Sequence, residues 1–199
     1  RGLGDVYKRQ AKDYILDRLR VELPQHLYYH CYEHTLDVYD AAEKICKYHE
    51  ISDHETSLIL TAVLFHDCGF INVYDNHEVE GCRIASEALP GFGYSASEIS
   101  HINDMIMATK IPQTPLDFSG EIICDADLDY LGRDDFKPIA KNLFLELQQM
   151  GKLTDINVWN TIQVKFLSSH TYFTEYGRTM RLPKKMLHLE ELKKITGLA

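Results

Sequence analysis

Hydrophobic positions recur every three or four residues along almost the whole chain, the period of amphipathic helices. Residues 11–22 predict a short helix with Tyr14, Ile15, Arg18 and Leu19 on one side, stopped at Pro24. A long helix is expected over 25–49, with Leu27, Cys31, His34, Val38, Ala41, Ala42 and Ile45 in one stripe. The pattern then changes. From Leu58 to Phe65 the run is apolar on every side, which predicts a helix over 53–65 buried all round. It stops abruptly at His66-Asp67, with Gly69 in the loop that follows.

The remaining helices are conventional. One over 78–89 ends at Pro90-Gly91, a strong stop. Ser95 or Ser97 can cap the next, which runs to Thr109 with Ile99, Ile102 and Ile106 inward. A loop with Pro112 and Pro115 leads to a helix over 121–131 that ends at Gly132. The helix over 134–150 carries the cleanest stripe (Phe136, Ile139, Ala140, Leu143, Phe144, Leu147, Met150) and closes at Gly151. A helix over 154–171 puts Ile156, Trp159, Ile162 and Phe166 on one face, and a last helix begins after Pro183. No alternating run reads as a strand, so the expected fold is all-α, a single helical bundle.

Bulk properties narrow the function. At 199 residues, one domain with a sizeable core is the first expectation. The opening stretch, RGLGDVYKRQ, fits nothing that follows and lacks an initiator Met; we expect it to be a non-native scar and place the domain over 11–199. A net charge of -9 argues against the basic stripe that a polynucleotide partner requires. It still allows a small anionic substrate, because a metal and a few local cations can reverse the potential inside a cleft. Five cysteines without CxxC spacing fit neither a disulfide framework nor a zinc ribbon, and point to reduced thiols in a cytoplasmic protein. No apolar run reaches the ~18 residues of a membrane span, so no membrane partner is expected.

The informative feature is polar residues on apolar stripes. His66 falls on the stripe of Ile59, Ala62 and Val63, and Asp67 on that of Leu60, Val63 and Leu64. His34 lies inward between Cys31 and Val38. In the segment 121–131, Asp127 sits between Ile123, Tyr130 and Leu131, whereas Asp125 and Asp129 share the face expected to be solvated. Each inward group alone has an ordinary explanation as a satisfied core residue. Together, two imidazoles and two carboxylates from three helices form a donor set suited to a divalent transition metal inside a bundle, and a metal would supply the charge that makes their burial tolerable.

His34-Thr35, then His66-Asp67 after an apolar run, then Asp125-Ala126-Asp127 ahead of Leu131-Gly132 resembles the H…HD…D signature of the HD-domain superfamily, all-helical metal-dependent phosphohydrolases. The likeness runs from about residue 23 to 132, and the segment 166–174 resembles a C-terminal helix of small bacterial members. The resemblance implies His34, His66, Asp67 and Asp127 as metal ligands. It also implies hydrolysis of a phosphoester in a small phosphorylated substrate, with a nucleotide as first choice. Histidine-rich ligation favours Mn, Fe, Co, Ni or Zn over Mg, and Asp67 would act in catalysis as well as ligation. Some members hold a second metal on extra histidines. His77 is the candidate here, with His101 behind it; the alternative for His77 is a loop residue capping the next helix. Glu78 could orient a water or protonate a leaving group, Lys110 or Arg83 could contact phosphate, and His30, one turn before His34, could line the same pocket. Two other readings stay open: a non-catalytic metal-binding regulatory module of a larger signalling protein, and a di-iron oxygenase of the same fold.

Overall fold

Ser52 opens the helix on which the fold turns: its hydroxyl accepts the amide of Glu55, and α3 (Asp53–Phe65) follows. The computed structural model describes residues 3–198, and all its regular elements are helical. The chain divides into two compact units. The first takes residues up to Pro24 and His30–Asp127, the second Gln25–Tyr29 and the chain from Leu128 onward.

The first unit holds α1 (Leu3–Glu22), α2 (Tyr32–Tyr48), α3, α4 (His77–Ala88), α5 (Ala96–Ala108) and α6 (Phe118–Asp127). α3 packs against the other five, which explains a sequence apolar on all sides: Ile59, Ala62, Val63 and Phe65 have no solvent exposure. Burying each large side chain of this kind contributes about 1.5–3 kcal/mol, so its neighbours hold α3 in place and fix where its end must fall. A capping box at Ser95 and Glu98 starts α5, whose Ile99, Ile102 and Ile106 face inward as expected. α1 begins at Leu3, so residues 3–10 of the stretch set aside as foreign lie in the first helix.

One boundary differs from expectation. The helix predicted over 25–49 begins only at Tyr32, because residues 25–29 belong to the second unit. There Leu27 and Tyr29 are buried, and the Tyr29 amide donates to Glu146 Oε2 at 2.9 Å. Turns and bends over residues 25–31 place these two residues, and their burial overrides the helical period.

The second unit contains α7 (Phe136–Gln149), α8 (Ile156–Ser169) and α9 (Leu182–Thr196). Its core joins Tyr29, Leu131, Phe136, Trp159, Leu167 and Leu189. The stripe of α7 is as expected, but α8 is rotated: Trp159, Gln163, Val164 and Leu167 are buried, whereas Ile156 and Ile162 are exposed. A π-helical turn, Gly177–Arg181, leads into α9 and sets Arg181 on the buried Asp129, Nε to Oδ1 2.7 Å. Gly132 is required here, since a Cβ on it would stand 2.3 Å from the Arg181 carbonyl oxygen.

Candidate metal centre

The ends of two helices and one buried stripe converge. His34 comes from the first turn of α2, His66 and Asp67 from the residues after α3, and Asp127 from the last position of α6. His34 Nε2 lies 3.2 Å from Asp127 Oδ1 and 3.4 Å from Asp67 Oδ2. His66 Nε2 lies 3.3 Å from Asp67 Oδ2 and 3.5 Å from Asp127 Oδ1. His34, His66 and Asp127 each offer one donor atom, all within 4.8 Å of one another, and Asp67 joins through the two imidazoles. Such separations suit neighbouring atoms about 2.0–2.2 Å from a shared cation.

Two further observations test that fit. His66 Nδ1 is 2.7 Å from the Val63 carbonyl and must donate to it, which leaves Nε2, facing the carboxylates, as the nitrogen that can give its lone pair to a cation once its proton is lost. That Nε2 and Asp67 Oδ2 are both buried without a hydrogen-bond partner among the described residues. Orphaned buried polar atoms are rare and costly; two of them facing each other at 3.3 Å, both of ligating type, are what a cation between them would satisfy.

A family model described as HD domain matches residues 31–129. The chain belongs to the HD-domain superfamily. The matched stretch runs from just before α2 to just after α6 and holds all four residues of the cluster. A crystal structure of a predicted HD superfamily hydrolase from an uncultured Thermotogales bacterium is similar over 95% of this chain and 91% of that one, with a TM-score of 0.63 and 20% identity. That likeness shows the shared all-helical fold. No curated protein matches the chain.

The HD pair owes its surroundings to Gly69. A Cβ there would stand 1.9 Å from the His77 carbonyl oxygen, so only glycine lets the 3-10 turn Cys68–Ile71 press against the start of α4. This contact brings His77 to the cluster: its Nε2 is 3.4 Å from Asp67 Oδ1 and 3.5 Å from Glu78 Oε1. Its Nδ1 is 3.3 Å from the Tyr74 carbonyl, and its ring stacks on Phe70 with centroids 3.9 Å apart. His30 stacks on the same Phe70 at 4.2 Å, so an aromatic wall of His30, Phe70, Tyr74 and His77 adjoins the cluster.

Burial opposes charge throughout the centre, and opposite charges overcome it. Desolvation would lower His66, yet Asp67 and Asp127 hold it well above the usual imidazole value. Desolvation would raise Asp127, but its bond to His34 and the nearby His66 bring it down to about 2. Asp67 is likewise depressed against its burial, chiefly by His66. His77 is raised against its own burial, mainly by its bond to Asp67.

The other candidates separate clearly. Glu78 is buried beside His77. Lys110 extends its ammonium to Asn76 Oδ1 at 3.1 Å, one residue before His77, and lines a cavity of about 290 Å³ with Asp104, Met107, Ile111 and Leu116. Arg83 is engaged by acids of its own helix: Glu80 and Glu87 hold its guanidinium at 2.6 and 2.5 Å on the surface of α4. His101 is not with the cluster but bonds Glu55 at 2.6 Å. The expectation that Asp125 and Asp129 face solvent is wrong. They are 1% and 3% exposed: Asp125 lies within α6, which is buried on nearly every side, and Asp129 lies past its end at Asp127, on a 3-10 turn, Asp129–Gly132, that redirects the chain. Phe70 and Asn76 were not singled out from the sequence; an aromatic one residue after Gly69, and a residue able to adopt the left-handed φ of 59° that Asn76 shows before α4, were the available signals.

Proposed function

We propose that the chain is a metal-dependent phosphohydrolase that cleaves a phosphoester of a small molecule, with a nucleotide as first choice of substrate. The observation that carries this reading is the pair of orphaned, buried atoms, His66 Nε2 and Asp67 Oδ2, inside a ring of imidazoles and carboxylates. His34, His66, Asp67 and Asp127 would hold a divalent cation, Mn, Fe, Co, Ni or Zn before Mg. Bound there, the cation supplies charge to a phosphoryl oxygen and lowers the pKa of a water.

The chain's own residues do the rest. Asp67 turns Oδ2 toward His34 and His66 and Oδ1 toward His77, so the acid that would anchor the cation would also orient His77. His77, backed by Glu78, stands where a proton could pass to a leaving oxygen, a role typically worth ~10²–10⁴-fold. Lys110, bonded to Asn76 one residue before His77, would offer a cation to the substrate's phosphate. The same position of His77 also supports a second reading, a second metal between His77 and Asp67.

Elemental analysis of the purified chain and phosphate release across a nucleotide panel test the proposal together. One equivalent of transition metal with metal-dependent phosphate release is the expected result; metal-free protein that neither binds Mn nor releases phosphate would overturn it. His77→Ala distinguishes the two roles. A general acid predicts one metal retained and kcat and kcat/KM lowered together; a second-metal ligand predicts that the wild type carries two metals and the variant one.

A further inference from the structure

His77 has an orientation that its polar contacts alone do not fix. Among the described residues its Nδ1 lies 3.3 Å from the Tyr74 carbonyl, and its Nε2 lies 3.4 Å from Asp67 Oδ1 and 3.5 Å from Glu78 Oε1. All three separations exceed the range of about 2.7–3.2 Å found for well-formed N–H···O bonds. The contact on the face of the ring is the close one. Phe70 lies against the imidazole with centroids 3.9 Å apart and planes at 21°, nearer than the ~4.5–7 Å usual between aromatic rings. The polar contacts select which atoms meet the nitrogens; the ring contact limits how far the imidazole can tilt.

Phe70 is itself held firmly. It is buried and lies in the 3-10 turn Cys68–Ile71, where its amide donates to the Asp67 carbonyl at 3.1 Å. His30 stacks on it with planes at 28°, and Tyr74 meets it with centroids 5.2 Å apart and planes at 69°. One short piece of chain therefore brings two contacts to His77: the Asp67 carboxylate to the edge of the imidazole, and the Phe70 ring to its face. An aliphatic side chain could fill the same space, but only a flat ring can stack on a flat ring.

We propose that Phe70 is a positioning residue of the centre: its ring fixes the plane of the His77 imidazole and keeps Nε2 directed at Asp67. Gly69 sets where the start of α4 stands, and Phe70 sets how the side chain on it is turned. The role is the same whether His77 passes a proton or holds a second cation. Its effect on turnover rests on the phosphohydrolase reading; its effect on the His77 ring does not.

The test replaces Phe70 in the full chain by Leu, which keeps the bulk and loses the flat face, and by Tyr, which keeps the face. Proton NMR reads the ring directly. The His77 ring protons, identified by their loss in His77→Gln, lie over the Phe70 face; they should resonate upfield in wild type and in Phe70→Tyr and move downfield in Phe70→Leu. Elemental analysis should find the first metal still bound in both variants, since no ligand is changed. Phosphate release should then fall in Phe70→Leu by about 10- to 100-fold in kcat, the scale of a misplaced catalytic group, with kcat/KM lowered alike, and Phe70→Tyr should restore it to within about threefold of wild type. A residue that only fills space predicts a lower melting temperature with kcat and the His77 resonances unmoved, and that result overturns the proposal. So does Phe70→Tyr turning over no faster than Phe70→Leu. Phe70→Met, an unbranched side chain that adapts to irregular gaps, takes the place of Phe70→Leu should the latter fold poorly. A wild type that releases no phosphate from any nucleotide refutes the proposed function instead, and the His77 resonances then decide on Phe70 by themselves.

Discussion

Asp127 and Asp129 stand two residues apart and do different work, so replacing each by asparagine separates ligation from architecture. Asp129 is 3% exposed and accepts Arg181 Nε at 2.7 Å and Arg133 Nη1 at 3.5 Å. Removing one partner of a fully buried ion pair costs about 3–5 kcal/mol, because the other charge is stranded. Here the cost is smaller: Arg181 keeps 18% of its side chain in solvent, retains Tyr176 Oη at 2.9 Å, and the amide that replaces the carboxylate can still accept one bond. We therefore expect about 2 kcal/mol for Asp129→Asn. At about 2–4 °C per kcal/mol for a chain of this size, the melting temperature should fall by about 4–8 °C. Metal binding should survive. A cation present at a hundred times its Kd adds about 2.7 kcal/mol to the folded state, so added Mn should raise the melting temperature of wild type and of Asp129→Asn by about 5–10 °C, and that of Asp127→Asn not at all. The assay is a thermal melt of the three proteins with and without Mn. If Asp129→Asn melts within about 1 °C of wild type, the ion pair is not structural. If Asp129→Asn loses the Mn response and Asp127→Asn keeps it, the ligand assignment is wrong.

Two further outcomes follow from the centre. With His66 raised by Asp67 and Asp127 against its burial, the metal-free cluster keeps a proton that a cation must expel. Metal affinity should rise with pH, by up to about tenfold per unit, and level off above the raised His66 value. The stability which that proton gives the metal-free chain is full below the ordinary imidazole value of about 6.5 and is lost as pH rises through the raised one; a pH-independent Kd would refute both. Gly69→Ala forces a Cβ onto the His77 carbonyl, so we expect a loss of about 1–3 kcal/mol in stability and a fall in kcat with the first metal still bound. A variant with unchanged kcat would show that the Gly69 contact does not position His77.

The sequence alone determined the helical class and the position of the central helix. A run apolar on every side has one stable placement, inside other helices, and α3 spans the residues expected of it. His34, His66, Asp67 and Asp127 were also legible, since an ionisable group on an apolar stripe is improbable without a partner and four of them on three helices suggest one another. What the period could not supply was anything decided by contacts distant in sequence. Residues 25–29 leave the helix because the second unit buries Tyr29 beside Glu146. Asp129 turns inward because a π-helical turn about fifty residues later presents Arg181 to it. His77 reaches Asp67 because Gly69 permits two backbones to touch. Local periodicity records which face of an element avoids water; which partner meets that face, and where a helix must stop to let it in, is settled only when the elements pack.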